Sequence, residues 1–291
     1  MSPNDFNPGT AVIAPTKCPV SCPSAMLPAR RWRPSPLLFL TLLIHILALI
    51  WLALAPAQWL WALAILGGIH AILTVIVFFP RSTLLGQNIN RLPDTSAGRR
   101  EISLTFDDGP DPLITPQVLD LLDRYRAKAS FFCLGERVSQ YPDLAREIVA
   151  RGHSIENHSH GHPYTFAFFG ARRMTREIKT AQAIICDVTG SYPEFFRAPM
   201  GLRNPLFLDF VLARLGLRLV SWTRRGYDTL SNDPKAILAR LERNLAAGDI
   251  LVMHDVQGVH KQTMILDVLP KLLEAIAREN LRSVSLPQAM Q

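Results

Sequence analysis

Two uncharged apolar runs, Pro36 to Ala55 and Trp59 to Phe79, separated by Pro56, Ala57 and Gln58, limit this chain more than any other feature. As a helix, each run is long enough to cross about 30 Å of hydrocarbon. The short uncharged connection predicts a membrane hairpin over residues 36–80, with spans at 36–55 and 59–79. Trp51, Trp59 and Trp61 lie near its turn, where interfacial aromatics are expected. A cleaved signal peptide has a shorter apolar region, about 7–15 residues, and one soluble core helix does not need two consecutive spans. His45 and His70 fall inside the spans. They read as helix-bonded rather than functional, although polar groups at such depth are functional suspects. The lipid bilayer is therefore the first predicted partner.

The flanks give an orientation. Arg30, Arg31 and Arg33 precede the first span, and Arg81, Arg91, Arg99 and Arg100 follow the second. Basic flanks stay in the cytoplasm. The expectation is a bacterial-type inner-membrane protein with two spans and a cytoplasmic main domain. Residues 1–35 read as an irregular Pro- and Ser-containing tail, and 81–100 as a linker. The net charge of +7 arises from 31 Lys and Arg against 24 Asp and Glu. Part of the surplus precedes the spans, so no clustered basic face argues for nucleic acid. No protein partner can be inferred. Cys18 and Cys22 form a lone C-x-x-x-C without a second pair, too little for a zinc site. Together with Cys133 and Cys186 they read as buried or unused thiols.

From Glu101 to Gln291 short apolar runs alternate with amphipathic ones. Predicted strands are Ile102–Phe106, Ala129–Leu134, Ser154–Glu156, Glu194–Arg197, Arg218–Trp222, Asp249–His254 and Arg282–Ser285. Predicted helices are Thr115–Arg126, Pro142–Arg151, Arg172–Val188, Pro205–Leu215, Pro234–Ala247 and Thr263–Glu279. Pro205 and Pro234 suit first helical turns. This rhythm implies a parallel sheet. Seven repeats without a Gly-rich nucleotide pattern favour an incomplete α/β barrel, whose chemistry would gather at the C-terminal strand ends.

Those ends are polar. The first runs into Asp107-Asp108-Gly109-Pro110, a sequence that an ordinary surface turn can also carry. The third runs into Asn157-His158-Ser159-His160-Gly161-His162. His158 and His162 have the spacing of a metal-ligand pair, and Asp108 could add an oxygen ligand. Such a set suits zinc or a similar divalent ion with an open position. A solvated His-rich loop is the plain alternative. Arg197, Asp228 and His254 lie at or just beyond further strand ends. Polar groups at five strand ends point to one reaction centre.

T-F-D-D-G-P at 105–110, H-S-I-E-N-H-S-H-G-H at 153–162, R-A-P-M-G at 197–201 and V-M-H-D at 252–255 closely resemble the motifs of polysaccharide deacetylases, the NodB-like group of carbohydrate esterase family four. The resemblance covers about residues 100–290. It implies a distorted (β/α)7 barrel over 101–291 that hydrolyses an N-acetyl group on an amino sugar, in a polysaccharide or a lipid-linked glycan. It also implies one divalent metal, Zn2+ before Co2+ or Ni2+, held by Asp108, His158 and His162. By the same resemblance Asp107 is the base, Arg197 its positioning partner, His254 the acid and Asp228 the partner of that imidazole. Pro199, Met200, Trp222, Leu251 and Val252 become substrate or oxyanion contacts, with the Met200 N–H as the oxyanion donor and Leu251 and Val252 bordering an acetyl-methyl pocket.

The chain departs from the pattern in places. Met200 replaces a frequent Tyr, Tyr227-Asp228-Thr229 replaces a usual Asp-Trp, and Val252 replaces a common Leu. His160 reads as a substrate contact or bystander. Since Asp107 and His254 are both present, an enzyme is preferred to a non-catalytic membrane-anchored binding module. A deformylase or other amide hydrolase would use the same residues. Tyr164, Phe166, Phe168, Phe169, Trp222 and Tyr227 are candidates for sugar stacking, and the three Phe residues also for meeting the membrane surface. The resemblance favours action outside the cytoplasm; the flanking charges favour the inside and a lipid-linked precursor.

Overall fold

The computed structural model describes residues 28–256 and 264–291. Cys18, Cys22, residues 1–27 of the tail and Thr263 lie outside the described residues.

The apolar runs are helices, Pro36–Leu54 and Trp59–Val77, joined by a 3-10 turn at Pro56–Gln58. Ser35 caps the first by accepting a hydrogen bond from the Leu38 N–H at 3.2 Å. Both are long and apolar enough to cross a membrane. His45 and His70 place Nδ1 at 2.7 and 2.8 Å from the Thr41 and Leu66 carbonyls, which ties one ring nitrogen of each to its own helix.

The remaining strands are β1 (Glu101–Asp107), β2 (Ala129–Cys133), β3 (Ser154–Asn157), β4 (Phe195–Phe196), β5 (Arg218–Leu219), β6 (Arg224–Arg225), β7 (Ile250–His254) and β8 (Arg282–Ser283). They form a parallel sheet in the order β5-β4-β3-β2-β1-β7-β6, with β8 pairing the start of β1. The sheet curls into a half-barrel with helices outside. Strand alternation divides two cores. Ile102, Leu104, Phe106, Phe131, Leu251 and Met253 pack against the helices. Phe132, Phe195, Val220 and Ile250 form the second core, with Val284, Leu286 and Ala289 from the C-terminal segment. A fully buried Leu or Phe contributes about 1.5–3 kcal/mol.

Several boundaries differ from expectation. Strand β6 leaves no signal in the sequence, because two residues carry no periodicity. The helix predicted from Pro205 begins at Leu208. Asn204 Oδ1 accepts from the Leu206 and Phe207 N–H groups, forming a local turn that competes with helix. The segment 81–100 is no free linker. Ile89 bridges to Val220, Leu92 donates its N–H to the Gly248 carbonyl, Arg91 pairs with Asp249 at 3.1 Å, and Asp94–Gly98 is helical. Leu85, Leu92 and Ser96 are buried. These contacts fix the hairpin's exit against the barrel. Cys133 is a free buried thiol, whereas Cys186 is disulfide-bonded. That corrects the unused-thiol reading of Cys186, since sequence spacing does not report which sulfurs a fold brings together.

Candidate active site

Inward residues of β1 alternate as Ser103, Thr105 and Asp107, while Leu104 and Phe106 face the helices. The alternation carries Asp107 to the C-terminal mouth of the barrel. There Arg197 Nη1 donates to Asp107 Oδ1 at 2.6 Å and to Thr105 Oγ1 at 2.8 Å, and Nη2 donates to the Ser221 carbonyl at 2.9 Å. Arg197 is 1% exposed and lies over the Phe132 ring at 4.0 Å. Such a pair gives the buried carboxylate a compensating charge.

Asp108 turns away from β1 with φ 73°, a left-handed conformation that Asp tolerates. Its Oδ1 lies 3.4 Å from His158 Nε2 and 3.6 Å from His162 Nε2. Burial raises the Asp108 carboxyl, but His158, His254 and His162 outweigh it and hold it far below the usual carboxylate range. Burial and the neighbouring His158 lower His162 despite Asp108 and Asp107.

The His loop is built from within its own motif. Asn157 Nδ2 donates to the Ile178 carbonyl while its Oδ1 accepts from the Ser159 N–H, and Ser159 Oγ accepts from the His162 N–H. Gly161 donates to Glu177 Oε1 at 2.7 Å. Ser159 and His162 both have positive φ, which turns His162 back toward Asp108. Asn157, Ser159 and Thr105 stand inside the motifs, but nothing in the sequence marks them as supports of the site.

The three residues fit a divalent cation. One ligand atom from each lies within 4.8 Å of the others. Among the described residues Asp108 Oδ1 is buried without a hydrogen-bond partner. His158 Nδ1 sits 2.9 Å from the Arg197 carbonyl, so that nitrogen carries the proton and Nε2 presents a lone pair.

His254 is the register partner of Asp107 across β1 and β7. Asp228 grips it twice, accepting from its backbone N–H at 2.7 Å and standing 3.0 Å from Nδ1. Burial alone would lower His254. The Asp228 charge and hydrogen bond, helped by Asp108 and Asp107, instead raise it to about 9. At neutral pH the ring is therefore an imidazolium with a proton on Nε2.

The other expected contacts divide. Pro199 is buried and opens the turn Pro199–Gly201; Met200 is exposed there with φ 59°. Met200 and Trp222 line one cavity with Tyr227 and Arg225. Val252 shares its strand face with His254. Leu251 does not: it is 0% exposed in the helix-facing core. Its assignment to an acetyl pocket is corrected, because neighbours on a strand point to opposite faces. Phe166 and Phe169 are buried in a core with Phe196 and Leu208, so of the three Phe residues only Phe168 is exposed. His160 Nδ1 lies buried beside Gly135 without a hydrogen-bond partner among the described residues.

Residues 94–220 match the family described as polysaccharide deacetylase. The chain is 31% identical over 191 residues to a Bacillus cereus peptidoglycan-N-acetylglucosamine deacetylase, covering 65% of this chain and 88% of the relative. It is 34% identical over 168 residues to a Sinorhizobium fredii chitooligosaccharide deacetylase, covering 57% and 77%. A crystal structure of a peptidoglycan N-acetylglucosamine deacetylase in complex with 4-naphthalen-1-yl-N-oxidanyl-benzamide superposes with a TM-score of 0.64 at 29% identity. That match covers 70% of this chain and 92% of the other.

Proposed function

Because the chain belongs to the polysaccharide deacetylase family, we propose that it is a hydrolase that removes the N-acetyl group from an amino sugar, using Asp107 as base and His254 as acid. The observation that carries this reading is the register of Asp107 beside His254 on adjacent strands, with the donor atoms of Asp108, His158 and His162 converging next to them.

Asp108, His158 and His162 would hold one divalent ion, with zinc the best fit to an imidazole and carboxylate set. When bound, that ion polarises the amide carbonyl and makes an attacking water more acidic. Asp107 takes a proton from the attacking water, and Arg197 pairs with the carboxylate and keeps it aimed. The charged His254 gives its Nε2 proton to the departing nitrogen, while Asp228 fixes Nδ1–H and the tilt of the ring. The Met200 N–H offers a donor to the developing oxyanion. Trp222 and Val252 border the substrate on this reading.

The catalytic unit extends over residues 101–291, together with the 81–100 segment laid against it. On this reading the hairpin anchors it in a membrane, and the basic flanks favour a cytoplasmic barrel, against which the Cys186 disulfide favours the oxidising side. Mass spectrometry of N-acetylated amino-sugar substrates treated with the zinc-reconstituted full chain tests the reaction. Release of acetate with a free amine on the sugar is expected. Removal of formyl from the matching N-formyl sugar, with acetyl left intact, would reassign it as a deformylase.

A further inference from the structure

Two cavities meet where the hairpin joins the barrel. The first, about 860 Å³, lies between the membrane-spanning helices and the barrel. Its hairpin wall includes Leu38, Leu42 and Leu73; its barrel wall includes Phe168 and Leu206. Phe168 is 85% exposed, a large apolar side chain that lines this gap and belongs to none of the buried cores. The second cavity, about 760 Å³, is lined by Met200, Trp222 and Tyr227 of the candidate active site. Phe78 and Leu202 line both. Each volume lies within the usual small-molecule range of about 300–1,000 Å³.

The polar end of this path is cationic. Arg81 follows the second span by a few residues and donates to the Thr223 carbonyl at 3.0 Å. Arg225 lies over Trp222 and Tyr227, 5.2 and 5.1 Å from their ring centres, and its buried Nε has no hydrogen-bond partner among the described residues. Both line the second cavity, and among the described residues neither makes an ion pair. Two guanidinium groups without carboxylates, at the level where a membrane helix ends, complement a phosphate.

We propose that the two cavities form one site for a lipid-linked substrate. A single long hydrocarbon chain lies between hairpin and barrel, its terminal phosphate sits at Arg81 and Arg225, and the attached N-acetylated amino sugar reaches Asp107 and His254. This rests on the deacetylase reading and names the substrate class for that same site. The hairpin wall lets such a chain enter sideways from the bilayer, and an apolar cavity that adjoins one lined by Arg81, Arg225, Met200 and Trp222 matches the hydrocarbon, phosphate and sugar of the substrate. A soluble polysaccharide leaves the first cavity without an occupant.

The test uses the full chain with zinc in lipid nanodiscs. Acetate release is compared for polyprenyl-phosphate-linked N-acetylglucosamine and for a soluble N-acetylglucosamine oligomer. The kcat/KM ratio, lipid-linked over soluble, should exceed one. It should fall about tenfold or more in Arg81→Gln and in Leu42→Trp, which fills the hairpin wall. The ratio cancels any general loss of fold. An unchanged ratio in both variants overturns the proposal. Hydrolysis of the soluble oligomer alone overturns it and leaves the deacetylase reading standing; hydrolysis of neither removes that reading and this one with it.

Discussion

Arg197 and Asp107 form a buried ion pair, 2.6 Å from Nη1 to Oδ1, in which the guanidinium also ties Thr105 on β1 to the Ser221 carbonyl. One side chain thereby locks the candidate base to two parts of the barrel.

Arg197→Lys keeps a charge near Asp107 but loses the planar fork that reaches three acceptors. The rate should fall by about a hundredfold through misplacement of Asp107, with bound metal unchanged. Arg197→Met leaves an unpaired buried carboxylate and should cost about 3–5 kcal/mol of stability. Metal content, kcat and denaturant midpoints check both. A lysine variant with the parent rate would show that the fork is not needed.

On the proposed mechanism the Asp228 contact to His254 sets the alkaline limit. An acid must hold its proton, so activity is lost as pH rises through its pKa, which stands near 9. Asp228→Asn removes the charge that raises it and should move the alkaline limb of kcat down. A pH–rate profile with an unmoved limb would remove Asp228 from this role.

Away from the site, His153 packs edge-on against Phe131, and its Nδ1 accepts from the Ala129 N–H at 3.2 Å. Burial, aided by the Lys128 charge, pushes it down to about 4. The unfolded chain binds this proton near pH 6.5, the folded protein only near 4. Stability is therefore complete above 6.5 and is lost as pH falls through that window, by up to about 1.4 kcal/mol per pH unit. His153→Asn keeps a nearby acceptor and removes the titration. Thermal unfolding should then show a shallower acid slope; equal slopes would contradict the assignment.

Much of this site was legible because its residues come in short linear motifs placed where strands stop. Asp107, Asp108, His158, His162, Arg197 and His254 all stand at or just past strand ends, and alternation on β1 and β7 aims Asp107 and His254 inward. Leu251 shows the limit: the motif gave the neighbourhood, but the phase of the strand decided the face. The 81–100 segment was opaque for another reason. Its contacts to Val220, Gly248 and Asp249 are distant in sequence, and Ile89 pairs through a single bridge with no periodic signature.

A fluorescent-protein fusion at Gln291 should be bright and an alkaline phosphatase fusion silent, as a cytoplasmic barrel requires. The opposite pair would place the barrel on the oxidising side, where a disulfide such as that of Cys186 persists, and would return cell-wall polysaccharide to first place.

The central claim is that Asp108, His158 and His162 hold the ion on which amide hydrolysis depends. Metal content and acetate release, measured together on the parent and on His158→Ala, test it most directly. Both should be lost in the variant. Chelation should silence the parent, and added zinc should restore the parent alone. A His158→Ala protein that keeps its metal and its rate would contradict the claim.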